Sequence, residues 1–104
     1  MTQLALFIVH KTASGRREEV RAIWERHMAP AISANAGHLA YFYAFDRADA
    51  DVIRVFQVYR DEAASERFLR SAAYAAYLVE VEPLLSGPPE VCSADVQWSK
   101  PEAS

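Results

Sequence analysis

Residues 38–59 read HLAYFYAFDRADADVIRVFQVY, and the rest of the architecture is built around this stretch. It contains two eight-residue runs that are rich in aromatic and β-branched side chains, at 38–45 and 52–59. The polar segment DRADAD at 46–51 separates them. Two such runs joined by a short polar turn are typical of an antiparallel β-hairpin. We therefore predict a hairpin at the centre of the chain.

The segment before the hairpin predicts a strand followed by a helix. Residues 3–10 (QLALFIVH) are apolar at nearly every position, as a buried strand is. From Arg16 onward the apolar side chains recur at helical spacing, at Val20, Ile23, Trp24, His27, Ala31 and Ile32. Ser14 is the expected N-cap. Pro30 is expected to kink or end the helix, and the segment 35–37 (NAG) closes it.

The segment after the hairpin predicts a broken helix and a last strand. Asp61 is the expected N-cap of a second helix that runs to about Ser71. After a break, residues 74–84 resume as a helix, and SGPP at 86–89 stops it. Residues 90–98 (EVCSADVQW) are expected to form the fourth strand.

The predicted order is β-α-β-β-α-β, in one domain over residues 1–99 with a flexible C-terminal tail at 100–104. Right-handed crossovers place the first and third strands side by side at the centre of an antiparallel four-stranded sheet. Both helical segments then cover the same face of the sheet. We therefore predict a ferredoxin-like α+β fold.

Both faces of the predicted sheet are apolar, which predicts a partner. Strand one has one face of Leu4, Leu6 and Ile8 and another of Ala5, Phe7 and Val9. Strand two has one face of Leu39, Tyr41, Tyr43 and Phe45 and another of Ala40, Phe42 and Ala44. Helices bury only one face, and a large exposed apolar patch usually marks an interface. We expect a homodimer whose sheets pack face to face, a dimeric α+β barrel.

Composition excludes several classes of partner and compartment. The 104 residues have a formal net charge of -3, without the basic surface that nucleic acid or anionic lipid requires. No apolar run approaches the roughly 18 residues of a membrane helix. The single cysteine, Cys92, permits no intrachain disulfide and is expected to be a small buried hydrophobe in the last strand. We expect a cytoplasmic protein with neither nucleic acid nor membrane as a partner.

Residues able to do chemistry are few. The chain has no phosphate-binding glycine loop, no CxxC, HExxH or GxSxG motif, and its three histidines lack metal-ligand spacing. His27 lies on the apolar stripe of the first helix. It is therefore either a proton acceptor facing a pocket or a partly buried histidine bonded to a backbone carbonyl. His10 and His38 fall at strand ends, where histidines are typically solvated.

One polar residue of the third strand is expected to face the helices. Arg54 and Gln57 have opposite parity along the strand, so their side chains point to opposite faces. Gln57 shares its face with Val55 and Tyr59 and is the candidate for a polar pocket residue. Arg54 is instead a candidate for an interface ion pair. Some aromatic side chains on the helix-facing side are expected to line a flat cavity.

Several short motifs together resemble the antibiotic biosynthesis monooxygenase family over nearly the whole chain. They are SG at 14–15, NAGHL at 35–39, VFQVY at 55–59, DEAA at 61–64, FLRS at 68–71 and EPLL at 82–85. The resemblance implies oxidation of quinols, anthrones or other small aromatic substrates by molecular oxygen, without metal, flavin or haem. The protein's task is then to supply a desolvated pocket, a base and donors for the developing oxyanion.

Carried over to this chain, the resemblance implies His27 and Gln57 as catalytic residues. The substrate-pocket residues would be Trp24, Tyr41, Tyr59, Phe68 and Tyr74. Many relatives carry glutamate at the place of Gln57 and histidines at the places of Phe68 and Ala73. Two other functions stay open: a non-catalytic dimeric module that binds a small hydrophobic metabolite, and a small-molecule isomerase on the same fold.

Overall fold

A four-stranded antiparallel sheet forms the base of the fold in the computed structural model, which describes residues 2–101. Its strands are β1 (Leu4–Lys11), β2 (His38–Phe45), β3 (Val52–Tyr59) and β4 (Glu90–Asp95). The order across the sheet is β2-β3-β1-β4, with every neighbouring pair antiparallel. The predicted ferredoxin-like α+β arrangement, with the first and third strands central, is confirmed.

Three helices cover one face of the sheet, which we call the inner face. They are α1 (Arg17–Ala34), α2 (Glu62–Leu69) and α3 (Ala72–Val81), and a short 3-10 helix (Glu82–Leu84) extends α3. The break between α2 and α3 matches the expected interruption. Over residues 2–101 no helix combines the length and the apolar character needed to span a bilayer.

Side-chain caps start α2 and α3. The Ala64 N–H donates to Asp61 Oδ1 at 2.8 Å, as the sequence predicts for the second helix. The Tyr74 N–H donates to Ser71 Oγ at 3.2 Å, which starts a new helix where the chain turns. The second cap separates α3 from α2, and both helices contribute side chains to the space above the sheet.

The first helix differs from the prediction at its start and ends, as predicted, at the segment 35–37, with Asn35 as its C-cap. Ser14 does not cap it, because Gly15 adopts a positive φ of 77° and the Arg16 N–H bonds the Ala13 carbonyl, so Ser14 lies within this turn. Pro30 does not end the helix, which continues to Ala34. The turn beyond Pro30 stays helical because its apolar residues, Ala31 and Ile32, pack against the core.

A β-bulge in β2 changes which side chain faces inward. His38 pairs with Tyr59 and Ala40 pairs with Val58, so Leu39 is an extra residue without a register partner. The prediction that Leu39 shares the face of Tyr41 is wrong, since Leu39 is 49% exposed. His38 takes the inner position instead and contacts the core aromatic rings. The expectation that His38 is a solvated strand-end residue is also wrong.

The opposite face of the sheet, the outer face, is not covered by any helix of the described part of the chain. One cross-strand row on this face contains Phe42, Phe56, Phe7 and Cys92. Phe42 is 63% exposed and Phe7 is 49% exposed. Cys92 is exposed within the single chain, so the prediction of a buried cysteine is wrong there. The reason is that Cys92 lies on the outer face of edge strand β4, which is not covered by any helix of residues 2–101.

The C-terminal end differs modestly from the prediction. The last strand stops at Asp95 instead of Trp98, and the Trp98 side chain is exposed. The expected flexible tail at 100–104 lies mostly outside the described residues. Arg54, expected at an interface, donates from Nε to Asp46 Oδ1 of the same chain at 2.7 Å.

Candidate functional site

A cavity of about 300 Å³ lies between the inner face of the sheet and the three helices. All five tyrosines of the chain line it, namely Tyr41, Tyr43, Tyr59, Tyr74 and Tyr77. Aspartate, glutamate, lysine and arginine are absent from the described residues that line it. The volume is at the lower end of the range for small-molecule sites. The cavity therefore suits a compact, uncharged molecule with aromatic rings.

The floor of the cavity is set by strand register. Tyr41 of β2, Gln57 of β3 and Leu6 of β1 stand in one cross-strand row. Alternation along each strand points all of them inward, where Gln57 is only 5% exposed. The row thus places one carboxamide at the centre of an apolar floor. Buried polar groups normally have hydrogen-bond partners, and we therefore expect such partners for the Gln57 carboxamide.

The Gln57 carboxamide is held from behind by a hydrogen-bonded chain. His38 Nε2 lies 3.0 Å from Gln57 Oε1, and His38 Nδ1 lies 2.8 Å from Asn35 Nδ2. The Gly37 N–H donates to Asn35 Oδ1 at 3.2 Å. The His38 ring stands edge-on to Phe68, with centroids 4.6 Å apart. Burial lowers the pKa of His38 below its ordinary value of 6.5, and the bond to Gln57 opposes this effect.

Trp24 of α1 forms the wall over β2. Its ring stacks on Tyr43 at a centroid distance of 4.3 Å, and its Nε1–H donates to Tyr41 Oη at 3.3 Å. The Tyr41 hydroxyl thereby keeps its own hydrogen free to donate. The Tyr43 hydroxyl is buried and has no hydrogen-bond partner among residues 2–101. This wall therefore offers two phenolic hydroxyls to a ligand.

The tyrosine hydroxyls of the cavity remain protonated at neutral pH. Burial raises the pKa of Tyr41 to about 12 and also raises the pKa values of Tyr43, Tyr59, Tyr74 and Tyr77. The physical cause is the same for each, since a phenolate loses its hydration in an apolar space. The lining is therefore neutral, and its hydroxyls act as donors.

Of the histidines in the described residues, His10 alone lines the cavity. It lies on the inner face of β1, opposite Ile53. Its Nδ1 is buried and has no hydrogen-bond partner within the described part of the chain. Burial lowers the pKa of His10 below 6.5, so its imidazole is neutral at pH 7 and retains a basic lone pair. The expectation that this strand-end histidine is solvated is wrong.

His27 lies away from the cavity, where α1 meets α3. Its Nε2 is 3.3 Å from Glu80 Oε1, and Arg26 pairs with the same carboxylate. The adjacent His27 ring, followed by Arg26, lowers the pKa of Glu80 below its usual value. His27 is thus held by a surface carboxylate on a neighbouring helix.

The structure brings together most of the residues singled out from the sequence. Six line the cavity: Trp24, Tyr41, Gln57, Tyr59, Phe68 and Tyr74. His27 does not. Sequence reasoning missed His10, Tyr43 and Tyr77. The parity of the strands contained the signal for the first two, because His10 shares a face with Leu6 and Ile8, and Tyr43 shares one with Tyr41.

Metal ligands do not gather in the described residues. Over residues 2–101, His, Cys, Asp and Glu side chains form no group of three that could hold an ion.

The fold and cavity define a class: small ferredoxin-like α+β proteins with an aromatic cavity between the sheet and its helices. A sequence profile described as antibiotic biosynthesis monooxygenase matches residues 4–79. The chain belongs to the antibiotic biosynthesis monooxygenase family. The resemblance noted from the sequence motifs is thereby confirmed. No protein of curated function matches the chain.

Solved structures resemble the chain over nearly its full length. NE2512, a protein of unknown function from Nitrosomonas europaea, is 26% identical with a TM-score of 0.82, covering 100% of this chain and 98% of its own. PA3566 from Pseudomonas aeruginosa is also 26% identical, with a TM-score of 0.83 and coverage of 94% and 97%. A candidate antibiotic biosynthesis monooxygenase from Caulobacter crescentus CB15 is 16% identical, with a TM-score of 0.86 and coverage of 91% and 90%, and supports the fold alone.

Proposed function

We propose that the chain binds a small uncharged hydroxylated aromatic molecule in this cavity and oxidises it with molecular oxygen. The observation that carries the proposal is the neutral aromatic lining, which contains every tyrosine of the chain. Flat rings fit against the aromatic side chains of the lining, and phenol hydroxyls orient polar substituents. Membership of the monooxygenase family supports the choice of reaction.

The proposed reaction balances without a cofactor, because the substrate supplies all the electrons. For an anthrone, the reacting CH₂ group becomes a carbonyl. One oxygen atom of O₂ forms this carbonyl, and the other leaves as water with the two hydrogens. The reacting carbon supplies the four electrons that reduce O₂. The step that the protein has to assist is removal of the first proton, after which the electron-rich anion reacts with oxygen.

His10 is the proposed proton acceptor. It is neutral at pH 7, it lines the cavity, and its Nδ1 has no hydrogen-bond partner within residues 2–101. Gln57 and Tyr41 are the proposed donors to the oxyanion that develops on the substrate, because both line the cavity beside each other. The role implied for His27 by family resemblance remains an alternative that the same experiment tests.

Oxygen uptake with reduced quinols and anthrones, corrected for autoxidation, tests the proposal. We expect saturable uptake, and about a hundredfold or greater loss in His10→Phe, which removes the base but keeps an aromatic ring. His27→Phe is the matched comparison. Uptake that falls in His27→Phe and persists in His10→Phe would return the base role to His27. An absence of uptake above background across the panel would refute the oxygenase.

A non-catalytic binding module is the second candidate, and one observation favours it. Apart from His10, the polar side-chain groups of the described residues that line the cavity are the protonated phenols, the Gln57 carboxamide and the Trp24 indole N–H. The absence of converging charges also removes the support that an isomerase would need. Binding of aromatic ligands without any oxygen uptake would select the binding module.

We further propose that two copies of the chain pair through the outer face of the sheet. The cross-strand row of Phe42, Phe56 and Phe7, in which Phe42 and Phe7 are exposed, supports this arrangement, since it would leave a large apolar patch in water on a monomer. A second copy supplies a surface of the same shape and chemistry, as a two-fold interface requires.

A further inference from the structure

Hydrogen-bond directions can be assigned around Gln57 from one fixed donor, the backbone N–H of Gly37. A backbone N–H only donates, so the Asn35 side-chain atom that it contacts at 3.2 Å is the carbonyl oxygen. The Asn35 amide nitrogen is then the atom 2.8 Å from His38 Nδ1. Because that nitrogen also only donates, His38 Nδ1 has to accept. The hydrogen-bond directions among Gly37, Asn35 and His38 are therefore fixed.

The rest of the assignment follows from the imidazole. A neutral histidine that accepts at Nδ1 carries its hydrogen on Nε2. That hydrogen donates to the Gln57 side chain at 3.0 Å, so the atom receiving it is the carbonyl oxygen Oε1. The other end of the Gln57 carboxamide is therefore NH₂. Among residues 2–101 the side-chain hydrogen bond of Gln57 is the one through Oε1, and Gln57 lines the cavity.

We propose that His38 is a positioning residue that turns the Gln57 amide hydrogens toward the cavity and thereby selects ligands with an acceptor oxygen, such as an aromatic ketone or quinone carbonyl. The inference rests on the proposed function in that the cavity is the binding site. It goes beyond it by naming the group that the ligand presents to Gln57. His38 itself is absent from the lining and acts only through Gln57.

The packing and hydrogen bonds of the His38 ring favour one orientation of the ring. The His38 ring is packed between Tyr59, at a centroid distance of 4.3 Å, and Phe68, at 4.6 Å. A flip of the ring would place a carbon against Asn35 and another against Gln57, and both hydrogen bonds would be lost. Partly buried polar groups without partners are costly, so one orientation is favoured.

Two probes with the same ring skeleton test the proposal: 1-tetralone, which has one carbonyl, and tetralin, which has none. The measured quantity is the ratio of their Kd values by titration calorimetry or fluorescence. In Gln57→Met, which keeps the shape and removes the donor, we expect the preference for tetralone to fall about fivefold. In His38→Phe the amide is free to turn, and we expect a fall of about two- to threefold. Gln97→Met, on the exposed C-terminal segment, is the matched control and should keep the wild-type ratio.

The ratio of the two Kd values separates a positioning role from a merely structural one. If the role is merely structural, the substitution weakens binding of both probes equally and leaves the ratio unchanged. An unchanged ratio in Gln57→Met would overturn the inference. So would failure of both probes to bind. A second measurement needs no variant: ¹⁵N NMR of the histidine ring in the wild type should show His38 with its hydrogen on Nε2, and a hydrogen on Nδ1 would refute the assignment.

The two proposals fail differently. Suppose that the wild type consumes oxygen and that Gln57→Met leaves the ratio of the two Kd values unchanged. That result would refute only the roles proposed for Gln57 and His38. A probe ratio that behaves as expected, in a protein that consumes no oxygen, would remove only the oxygenase and keep the selective cavity.

Discussion

Tyr41 and Tyr43 are two residues apart on the same face of β2, yet the hydrogen bonding of their hydroxyls differs. Tyr41 Oη accepts the Trp24 Nε1–H at 3.3 Å, whereas the Tyr43 hydroxyl is buried without a partner among residues 2–101. A buried hydroxyl without a partner reduces stability, because it leaves water and gains nothing in return. A protein keeps such a group when a ligand uses it, which fits the place of Tyr43 in the cavity wall.

The matched substitutions Tyr43→Phe and Tyr41→Phe should therefore have opposite effects on the ligand-free protein. Tyr43→Phe should leave the free energy of unfolding unchanged or raise it by about 1 kcal/mol. Tyr41→Phe should lower it by about 1 kcal/mol, since the Trp24 N–H loses its acceptor. Urea unfolding followed by tryptophan fluorescence measures both. Equal destabilisation by the two variants would contradict this account.

At the scale of elements, Arg17 of α1 holds the turn of the β2–β3 hairpin. Arg17 Nη1 lies within 3.1 Å of the carbonyl oxygens of Asp46, Asp49 and Val52. The guanidinium carbon also lies 4.0 Å from the centroid of the Phe45 ring. One cation thus satisfies the carbonyls of the turn and joins it to the first turn of α1. The hairpin end of the cavity is braced in this way.

Arg17→Met should lower the free energy of unfolding by about 2 kcal/mol, because three carbonyls lose a charged donor. Hydrogen exchange should increase most at the amides of the hairpin turn. Arg47→Met is the control, since Arg47 is exposed in the same turn, and its effect should stay within about 0.5 kcal/mol. Similar losses in both variants would show that the Arg17 bonds contribute little.

The sequence predicted the secondary-structure elements more accurately than it predicted the contacts between them. Strands β2 and β3 begin and end where alternation and β propensity place them, because both properties are local. The bulge at Leu39 and the continuation of α1 past Pro30 depend on tertiary packing, which has no local signature. The aromatic cavity followed from strand parity, whereas His27 lies outside it, near Glu80 on another helix.

For the whole molecule, the two faces of one sheet have different proposed tasks. Along β3, Gln57 points into the cavity while its neighbour Phe56 points to the outer face. The floor of the cavity is therefore also the back of the proposed dimer interface. Packing a second copy against Phe56 would restrict the motion of the strand that carries Gln57.

Phe42→Lys should shift the chain from dimer to monomer, because pairing would bury an unpaired ammonium. We expect the wild type to have the mass of a dimer by light scattering, and the variant to need at least about tenfold higher concentration to associate. Val79→Lys, at an apolar position on α3 that is more exposed than Phe42, should leave association unchanged. A wild type that is monomeric at all concentrations would rule out the interface.

The uncharged lining has a consequence for the acidity of whatever it holds. The burial that raises the pKa of Tyr41 to about 12 would act in the same way on a bound phenol. The cavity would then take up the protonated form of an acidic guest and leave its anion in water, much as an organic solvent does in an extraction. Affinity for such a guest would decline as the solution becomes alkaline enough to ionise it, even though no residue of the cavity has changed its charge.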